Sequence, residues 1–200
     1  MMRSKKMTRN RGHLFIISAP SGAGKTTLTK AALARYSDLL YSVSYTTRQP
    51  RTAEQDGVDY HFISKQDFKK GIREERWAEW AQVYGNYYGT SAKFIDDGLS
   101  SGRDILLDID VQGTIQILKK FPESVTIFIL PPSIKILKKR LEIRATDSAK
   151  VIEKRLEYAK KEMAQKDLYR HVIVNDILSK TVEDIIAIIE KYRQAESSKL

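Results

Sequence analysis

The 200-residue chain contains no cysteine, which excludes disulfides and cysteine-ligated zinc and suits a reducing compartment. Long apolar runs are missing as well: no stretch approaches the roughly 20 residues that a membrane-spanning helix needs. The N-terminus, MMRSKKMTRNRG, lacks the apolar centre of a signal peptide. Internal repeats are absent, and so are low-complexity tracts beyond that basic start. These absences lead to the expectation of a soluble, cytoplasmic protein with no membrane partner.

What is present suits one compact unit with a substantial core and small subdomains: 42% of residues are hydrophobic and 30% charged. The formal net charge of +10 raises the question of nucleic acid, so its distribution matters more than its total. Arg3, Lys5, Lys6, Arg9 and Arg11 precede Gly12 with no acid among them, which reads as a flexible basic arm over residues 1–12. A second basic cluster runs through KILKKRLEIR to Arg155. It can grip RNA or neutralise the phosphates of a small substrate, and no RNA-binding aromatic pattern accompanies it. No nucleic-acid partner is therefore expected. The chain closes on Ser198, Lys199 and Leu200, which spell a peroxisomal address in a eukaryote; the cytoplasm remains the default.

Apolar, β-branched runs occur at 14–18 (LFIIS), 41–45 (YSVSY), 104–109 (DILLDI), 125–130 (VTIFIL) and 171–175 (HVIVN). Helical patterns lie between them: TTLTKAALARY, TIQILKKF, SAKVIEKRLEYAKKEMAQKD and TVEDIIAIIEKYR. Strands alternating with helices predict a parallel α/β sheet with right-handed crossovers. Thr181 begins a T-x-x-D capping signal, and Ser133 is placed to cap the helix after Pro131 and Pro132. In the long helix Ile152, Leu156, Ala159 and Met163 recur at spacings of three and four, so one face packs and the other carries charge. Residues 44–94 break the alternation. They are polar, aromatic and turn-rich, and read as an inserted small domain with hairpin-like strands.

The first strand runs straight into Ala19, Pro20, Ser21, Gly22, Ala23, Gly24, Lys25, Thr26 and Thr27, a phosphate-binding loop with alanine in place of its first glycine. Strand, glycine turn and helix supply the mechanism: backbone N–H groups and the helix N-terminus face phosphates, Lys25 reaches the β and γ groups, and the Thr26 hydroxyl can hold Mg²⁺. Alanine at position 19 costs little provided its φ is negative. Asp108 and Asp110 close an apolar strand, where an acid can organise Mg²⁺ and its waters; helix-capping aspartates are the alternative. Glu79, in AEWAQ, reads by itself as an ordinary exposed helix residue.

Taken together, APSGAGKTT, SVSYTTRQPR, DYHF, EWAQVYGNYYGTS, LLDIDVQG, ILPPS and VIVND resemble, in order and spacing, the guanylate kinases, over nearly all of residues 14–190. The resemblance implies transfer of the γ-phosphoryl group of ATP to GMP with Mg²⁺, in purine nucleotide metabolism. It also implies an α/β fold: a P-loop NTPase-type parallel-sheet core flanked by helices, an inserted small mixed α/β GMP-binding domain and a helical lid. The corresponding boundaries are 13–43, 97–134 and 169–200 for the core, 44–96 for the GMP-binding domain and 135–168 for the lid. Arg48 and Arg51, three apart in a proline-stiffened loop, can clamp one phosphate dianion, and Ser44, Tyr60 and Tyr88 resemble the family's other phosphate ligands. Glu79 stands at the family's position for reading the N1–H and amino donors of guanine. Thr90 matches a hydroxyl that helps at the base, and Asp108 and Asp110 fall on the guanine side.

Arg140 and Arg144, spaced i, i+4, and Arg155 match the family's lid arginines, which stabilise charge on the transferring group. Lys138, Lys139, Lys160 and Lys161 read as a solvated face. Asn175 resembles a residue near the adenine. On this reading the metal ligand is Thr26, with Asp108 acting through water. Ala53 and Ala145 depart from the family's usual glycines. Guanylate-kinase-like modules of scaffold proteins, which bind phosphopeptides without catalysis, are the alternative from another class. They typically lose the loop lysine or the lid arginines, which this chain keeps. A monomer or a small homo-oligomer is expected.

Overall fold

The structure is a computed structural model and describes residues 11–83, 85–143 and 149–197. Along the chain the elements run β1 (Leu14–Ser18), α1 (Lys25–Arg35), β2 (Leu40–Tyr41) and β3 (Tyr45–Thr46). There follow β4 (His61–Phe62), α2 (Lys65–Arg73), β5 (Trp77–Val83), β6 (Asn86–Ser91) and α3 (Ala92–Ser100). The second half holds β7 (Ile105–Asp108), α4 (Val111–Lys120), β8 (Val125–Leu130), α5 (Ile134–Ile143), α6 (Ala149–Met163), β9 (His171–Val174) and α7 (Leu178–Ser197).

Five strands form a parallel sheet in the order β2-β7-β1-β8-β9. β1 lies at its centre and every one of its residues is buried, because helices cover both faces of the all-parallel sheet. The two-residue period of the strand divides its side chains. Phe15 and Ile17 pack with Leu28 and Ala32 of α1 and Ile185 and Ile189 of α7. Leu14 and Ile16 pack on the other side with Ile95 and Leu99 of α3 and Ile117 of α4. Each such side chain contributes about 1.5–3 kcal/mol when fully buried. With parallel strands all C-terminal ends meet at one edge, and the turns after β1 and β7 therefore emerge side by side.

A second sheet has the order β4-β3-β6-β5, with β5 and β6 an antiparallel hairpin and β3 parallel to β4. Helix α2 covers it: the Phe68 ring stacks on Trp77 and on Tyr87, and the Trp77 indole N–H donates to the Phe68 carbonyl at 3.1 Å. Helix α4 ties the two sheets together. The Gln116 amide donates to the Trp80 carbonyl at 2.8 Å and accepts from the Trp80 N–H at 3.2 Å, while the Lys120 ammonium donates to the Trp77 carbonyl at 3.1 Å.

Three expectations need correction or refinement. The run 41–45 is not one strand, since β2 ends at Tyr41 in the core sheet and β3 begins at Tyr45 in the second sheet. Local β-propensity does not record which partner a segment pairs with, and the chain changes sheet within this run. Thr181 is not a cap: α7 starts at Leu178, and the Thr181 hydroxyl donates to the Ile177 carbonyl at 3.1 Å. A T-x-x-D pattern in a helix interior satisfies its hydroxyl by such back-bonding to residue i−4. Ser133 does cap α5, accepting from the Ile136 N–H at 3.2 Å. The long helical pattern ends at Met163 and is followed by a 3₁₀ turn over Lys166–Leu168. Its apolar face packs as the spacing predicts, with Ile152, Leu156 and Ala159 against Leu137 and Leu141 of α5.

Candidate functional site

The loop between β1 and α1 is shaped by two glycines in the left-handed region, Gly22 at φ 92° and Gly24 at φ 100°. Both positions also lack room for a side chain. A Cβ on Gly22 would lie 2.9 Å from Leu141 of α5, and one on Gly24 would lie 2.5 Å from the Asn175 amide nitrogen. That amide donates to the Ala23 carbonyl at 2.8 Å and so braces the loop from below. Ala19 packs into the core beside Phe15 and Ile17. Among the described residues only Glu75 is a non-glycine with positive φ, so Ala19 keeps an ordinary backbone and the missing first glycine is harmless. Gly24 precedes α1 with no side-chain cap, and the first turn of α1 has no acid. Its N–H groups, with the exposed Thr26 and Thr27 hydroxyls beside them, form a site suited to an anion.

Ile17 of β1 lies beside Asp108 of β7, which brings the lysine of the loop to the acid at the neighbouring strand end. The Lys25 ammonium forms an ion pair with Asp108 and donates to the Ile109 carbonyl at 3.4 Å. Burial alone would lower the lysine's pKa, but Asp108 outweighs it and the net shift is upward. The second Asp108 oxygen accepts from the Thr29 hydroxyl at 3.4 Å. Asp110 caps α4, accepting from the Gly113 N–H at 2.8 Å, so the capping alternative holds for this residue although it also faces the cavity.

Glu79 is no exposed helix residue. It sits in β5, only 5% exposed, paired in register with Thr90, whose hydroxyl donates to its carboxylate at 2.6 Å. Gly113 at the start of α4 provides the seat: a Cβ there would lie 2.7 Å from the other Glu79 oxygen. Burial pushes the carboxyl up to about 7 against the Thr90 hydrogen bond; Asp110 pushes the same way, and Lys25 and Lys120 oppose it. A deeply seated acceptor with one oxygen still open to donors is the natural reader of a paired donor edge.

Ser44, Arg51, Tyr60 and Tyr88 line the cavity beside Glu79. Arg48 stands behind them. Its guanidinium donates to Glu54 at 2.8 Å and to the Gln49 carbonyl at 2.7 Å, and lies over the Tyr60 ring at 5.4 Å. Glu54 also accepts from the Arg51 N–H at 2.9 Å, so this acid, missed by the sequence reading, holds the whole arginine loop. A carboxylate following closely on two arginines was the available signal. Ala53, in the turn before it, needs no glycine, as its φ is not positive.

From the helical pair α5 and α6, Arg155, Tyr158 and Glu162 line the cavity. Arg140 instead donates to the Asn175 carbonyl at 3.1 Å. Arg144 and Ala145 lie outside the described residues, as do residues 1–10 of the basic arm and the terminal 198–200. Lys138, Lys139, Lys160 and Lys161 are exposed, as expected of a solvated face.

One cavity of about 620 Å³ joins these walls. It brings together Ala19, Pro20, Ser21, Gly22, Gly24, Lys25, Thr26, Thr27, Ser44, Arg51, Tyr60, Glu79, Tyr88, Asp108, Asp110 and Arg155. Ala23, Asn175, Arg48, Thr90 and Arg140 support it from behind through the bonds described. Gln112, Tyr158 and Glu162 line it without having been singled out in the sequence. A wider groove of about 850 Å³ along β9 and α7 holds none of the expected site residues. Among the described residues no cluster of three or more histidines and acids could cage a metal alone. Thr26 and Asp108 both line the cavity, and oxygen donors of this kind suit a hard cation such as Mg²⁺, which takes one or two protein oxygens and completes its shell with phosphates and water.

The sequence matches the family model for guanylate kinase over residues 11–192. It is 48% identical to a guanylate kinase of Nitrosospira multiformis over 194 residues, covering 97% of this chain and 92% of that one. It is also 48% identical to a guanylate kinase of Neisseria meningitidis serogroup A over 190 residues, covering 95% and 93%. The crystal structure of a guanylate kinase from Anaplasma phagocytophilum superposes with a TM-score of 0.75 at 30% identity, covering 93% of this chain and 88% of that one. With the loop, the buried Glu79 and the hydroxyl-arginine wall facing one cavity, and with matches of this extent, the chain belongs to the guanylate kinase family.

Proposed function

We propose that this cavity carries the family's reaction, transfer of the γ-phosphoryl group of ATP to GMP to give ADP and GDP, with the site residues in the following roles. Residues Ala19 to Thr27 hold the ATP phosphates through backbone N–H groups at the start of α1. The Lys25 ammonium has three donors; one goes to Asp108, one makes the long contact to the Ile109 carbonyl, and the third reaches a phosphate oxygen. Arg51, with Ser44, Tyr60 and Tyr88, grips the phosphate of GMP, and Arg48, held by Glu54, completes that grip. Glu79 and Thr90 read the guanine donor edge, and Asp110 lies beside them. Asn175 and Arg140 brace the loop at the adenine end, and Arg140, Arg144 and Arg155 neutralise charge spreading over the transferring group. The Thr26 hydroxyl, with Asp108 through water, would hold Mg²⁺, which would supply further neutralisation of phosphate charge. The residues themselves bind, align the two phosphates in line and exclude water that would otherwise hydrolyse ATP. Residues 44–96 form the acceptor domain and 135–168 the lid in this reading, with 13–43, 97–134 and 169–200 as the core. No helix of the described residues is long and apolar enough to cross a membrane.

The observation that carries the proposal is the meeting, in one cavity, of the Gly22 to Thr27 loop with Glu79 and the Tyr60–Tyr88–Arg51 wall. The test is ADP release from ATP with GMP, AMP, CMP or UMP as acceptor. GMP should be preferred strongly, and Lys25→Ala should lower kcat by about 10²–10³ or more with an unchanged circular dichroism spectrum. No ADP release with GMP, or wild-type kcat in Lys25→Ala, would overturn it.

A further inference from the structure

Among the charged residues that line the cavity, Glu162 alone has no part in the roles above. Arg155, Tyr158 and Glu162 follow at spacings of three and four, so a single face of α6 presents all three to the nucleotide space. A cation there is easily understood. A carboxylate is not, because near the transferring phosphates it would repel them. Its place is fixed by the next residue: Met163 packs with Val111, Ile115, Phe128 and Tyr169, which holds the C-terminal end of α6 over the start of α4. The charged groups that act on the Glu162 carboxyl are Asp110 and Lys25.

The other acids of the cavity are already engaged: Glu79 with Thr90, Asp108 with Lys25 and Thr29, Asp110 with the Gly113 N–H. The Glu162 carboxylate makes no hydrogen bond and no salt bridge among the described residues. It is half-buried, and burial raises its carboxyl to about 7, with Asp110 pushing the same way and Lys25 opposing. Such a group is an acceptor that lacks a donor within the protein. The bound nucleotides bring few kinds of donor. On the proposed reading guanine's are met by Glu79 and Thr90, the adenine amino group belongs to the Asn175 end, and phosphates have none, which leaves the sugar hydroxyls. The acceptor's sugar must span from the phosphate grip at Arg51, Tyr60 and Tyr88 to the base grip at Glu79, within the one cavity that Glu162 and Asp110 also line.

We propose that Glu162 accepts a hydrogen bond from a ribose hydroxyl of the acceptor nucleotide and is a sugar-specificity residue supplied by α6. The inference rests on the GMP kinase reading of the same cavity and adds how that cavity reads the sugar. The experiment compares kcat/KM for GMP, 2′-deoxy-GMP and 3′-deoxy-GMP in wild type, Glu162→Gln and Glu162→Ala, with the KM for ATP as a control and thermal melting to verify folding. For GMP, Glu162→Ala should cost about ten-fold or more, as expected for a hydrogen bond to a charged group, and Glu162→Gln, which keeps an acceptor oxygen, should cost less. For the analogue lacking the bonded hydroxyl both substitutions should cost almost nothing. The KM for ATP should not move.

A purely structural role would lower all three acceptors in parallel, and that result, or no loss at all, would overturn the assignment. Wild-type transfer to GMP with parallel losses defeats the sugar contact alone. Absence of transfer to GMP in the wild type defeats the GMP kinase reading and the sugar contact with it.

Discussion

Replacing Glu79 with glutamine should stabilise the protein at pH 8 while stripping it of its grip on guanine. The folded carboxyl is pushed from 4.5 up to about 7, chiefly by burial, with Asp110 adding to the shift and Thr90, Lys25 and Lys120 opposing it. An acid whose pKa is raised on folding binds its proton more tightly in the folded state. Its charge therefore costs nothing below pH 4.5, costs progressively more as the pH climbs towards 7, and reaches a plateau above that. The plateau is about 3 kcal/mol at most. Glutamine carries no charge to desolvate, and its carbonyl can still accept from the Thr90 hydroxyl at the 2.6 Å position. Its amide donors near the start of α4 give back part of the gain, on the order of 1 kcal/mol. The expected net effect is a stabilisation of about 1–3 kcal/mol at pH 8, several degrees in Tm for a chain of this length, vanishing near pH 4.5.

Thermal melting of both proteins without nucleotide, between pH 4.5 and 8, measures it. A difference independent of pH, or a lower Tm for the variant at pH 8, would refute the reasoning. The functional half runs the other way. On the proposed reading the ionised carboxylate is the acceptor for guanine's two donors, so the variant should lose about 10²-fold or more in kcat/KM for GMP. The ratio of wild type to variant should grow as the pH rises through about 7. Titration of the GMP phosphate itself affects both proteins alike and cancels in that ratio.

Gly113→Ala would normally favour a helix, but its Cβ would lie 2.7 Å from the Glu79 carboxylate. The carboxylate must shift, so kcat/KM for GMP should fall with the KM for ATP unchanged, at a stability cost of about 1–3 kcal/mol by denaturant unfolding. Asn175→Ala removes the 2.8 Å bond to the buried Ala23 carbonyl. It should destabilise the protein by about 1–3 kcal/mol and raise the KM for ATP more than that for GMP, as steady-state kinetics would show.

Several features of the site are local and were legible as such. A strand, two glycines, lysine and threonine in immediate succession specify a phosphate loop, since each contribution comes from neighbours in the chain. The alanine at position 19 needed only a negative φ, which an ordinary residue supplies. Ser133 as a cap, and the apolar face of α6, follow from spacings within one turn or two. The pattern failed where partners lie far apart. Nothing in AEWAQ marks Glu79 as buried, because its burial depends on Thr90 across the hairpin and on the bare backbone of Gly113 in another element. The split of residues 41–45 between two sheets and the role of Glu54 behind Arg48 were hidden for the same reason.

Short-range spacing thus pointed to a phosphate loop and to a parallel α/β core, while the order of its motifs carried the resemblance to guanylate kinases. Tertiary structure alone decided which side chains share the cavity. It drew Arg48, Arg140 and Asn175 into supporting bonds, set Glu79 in a buried seat where its charge is costly, and placed Glu162 of α6 in the cavity wall. Burial and electrostatic environment are set by everything packed around a group, and that is information no local stretch of sequence contains.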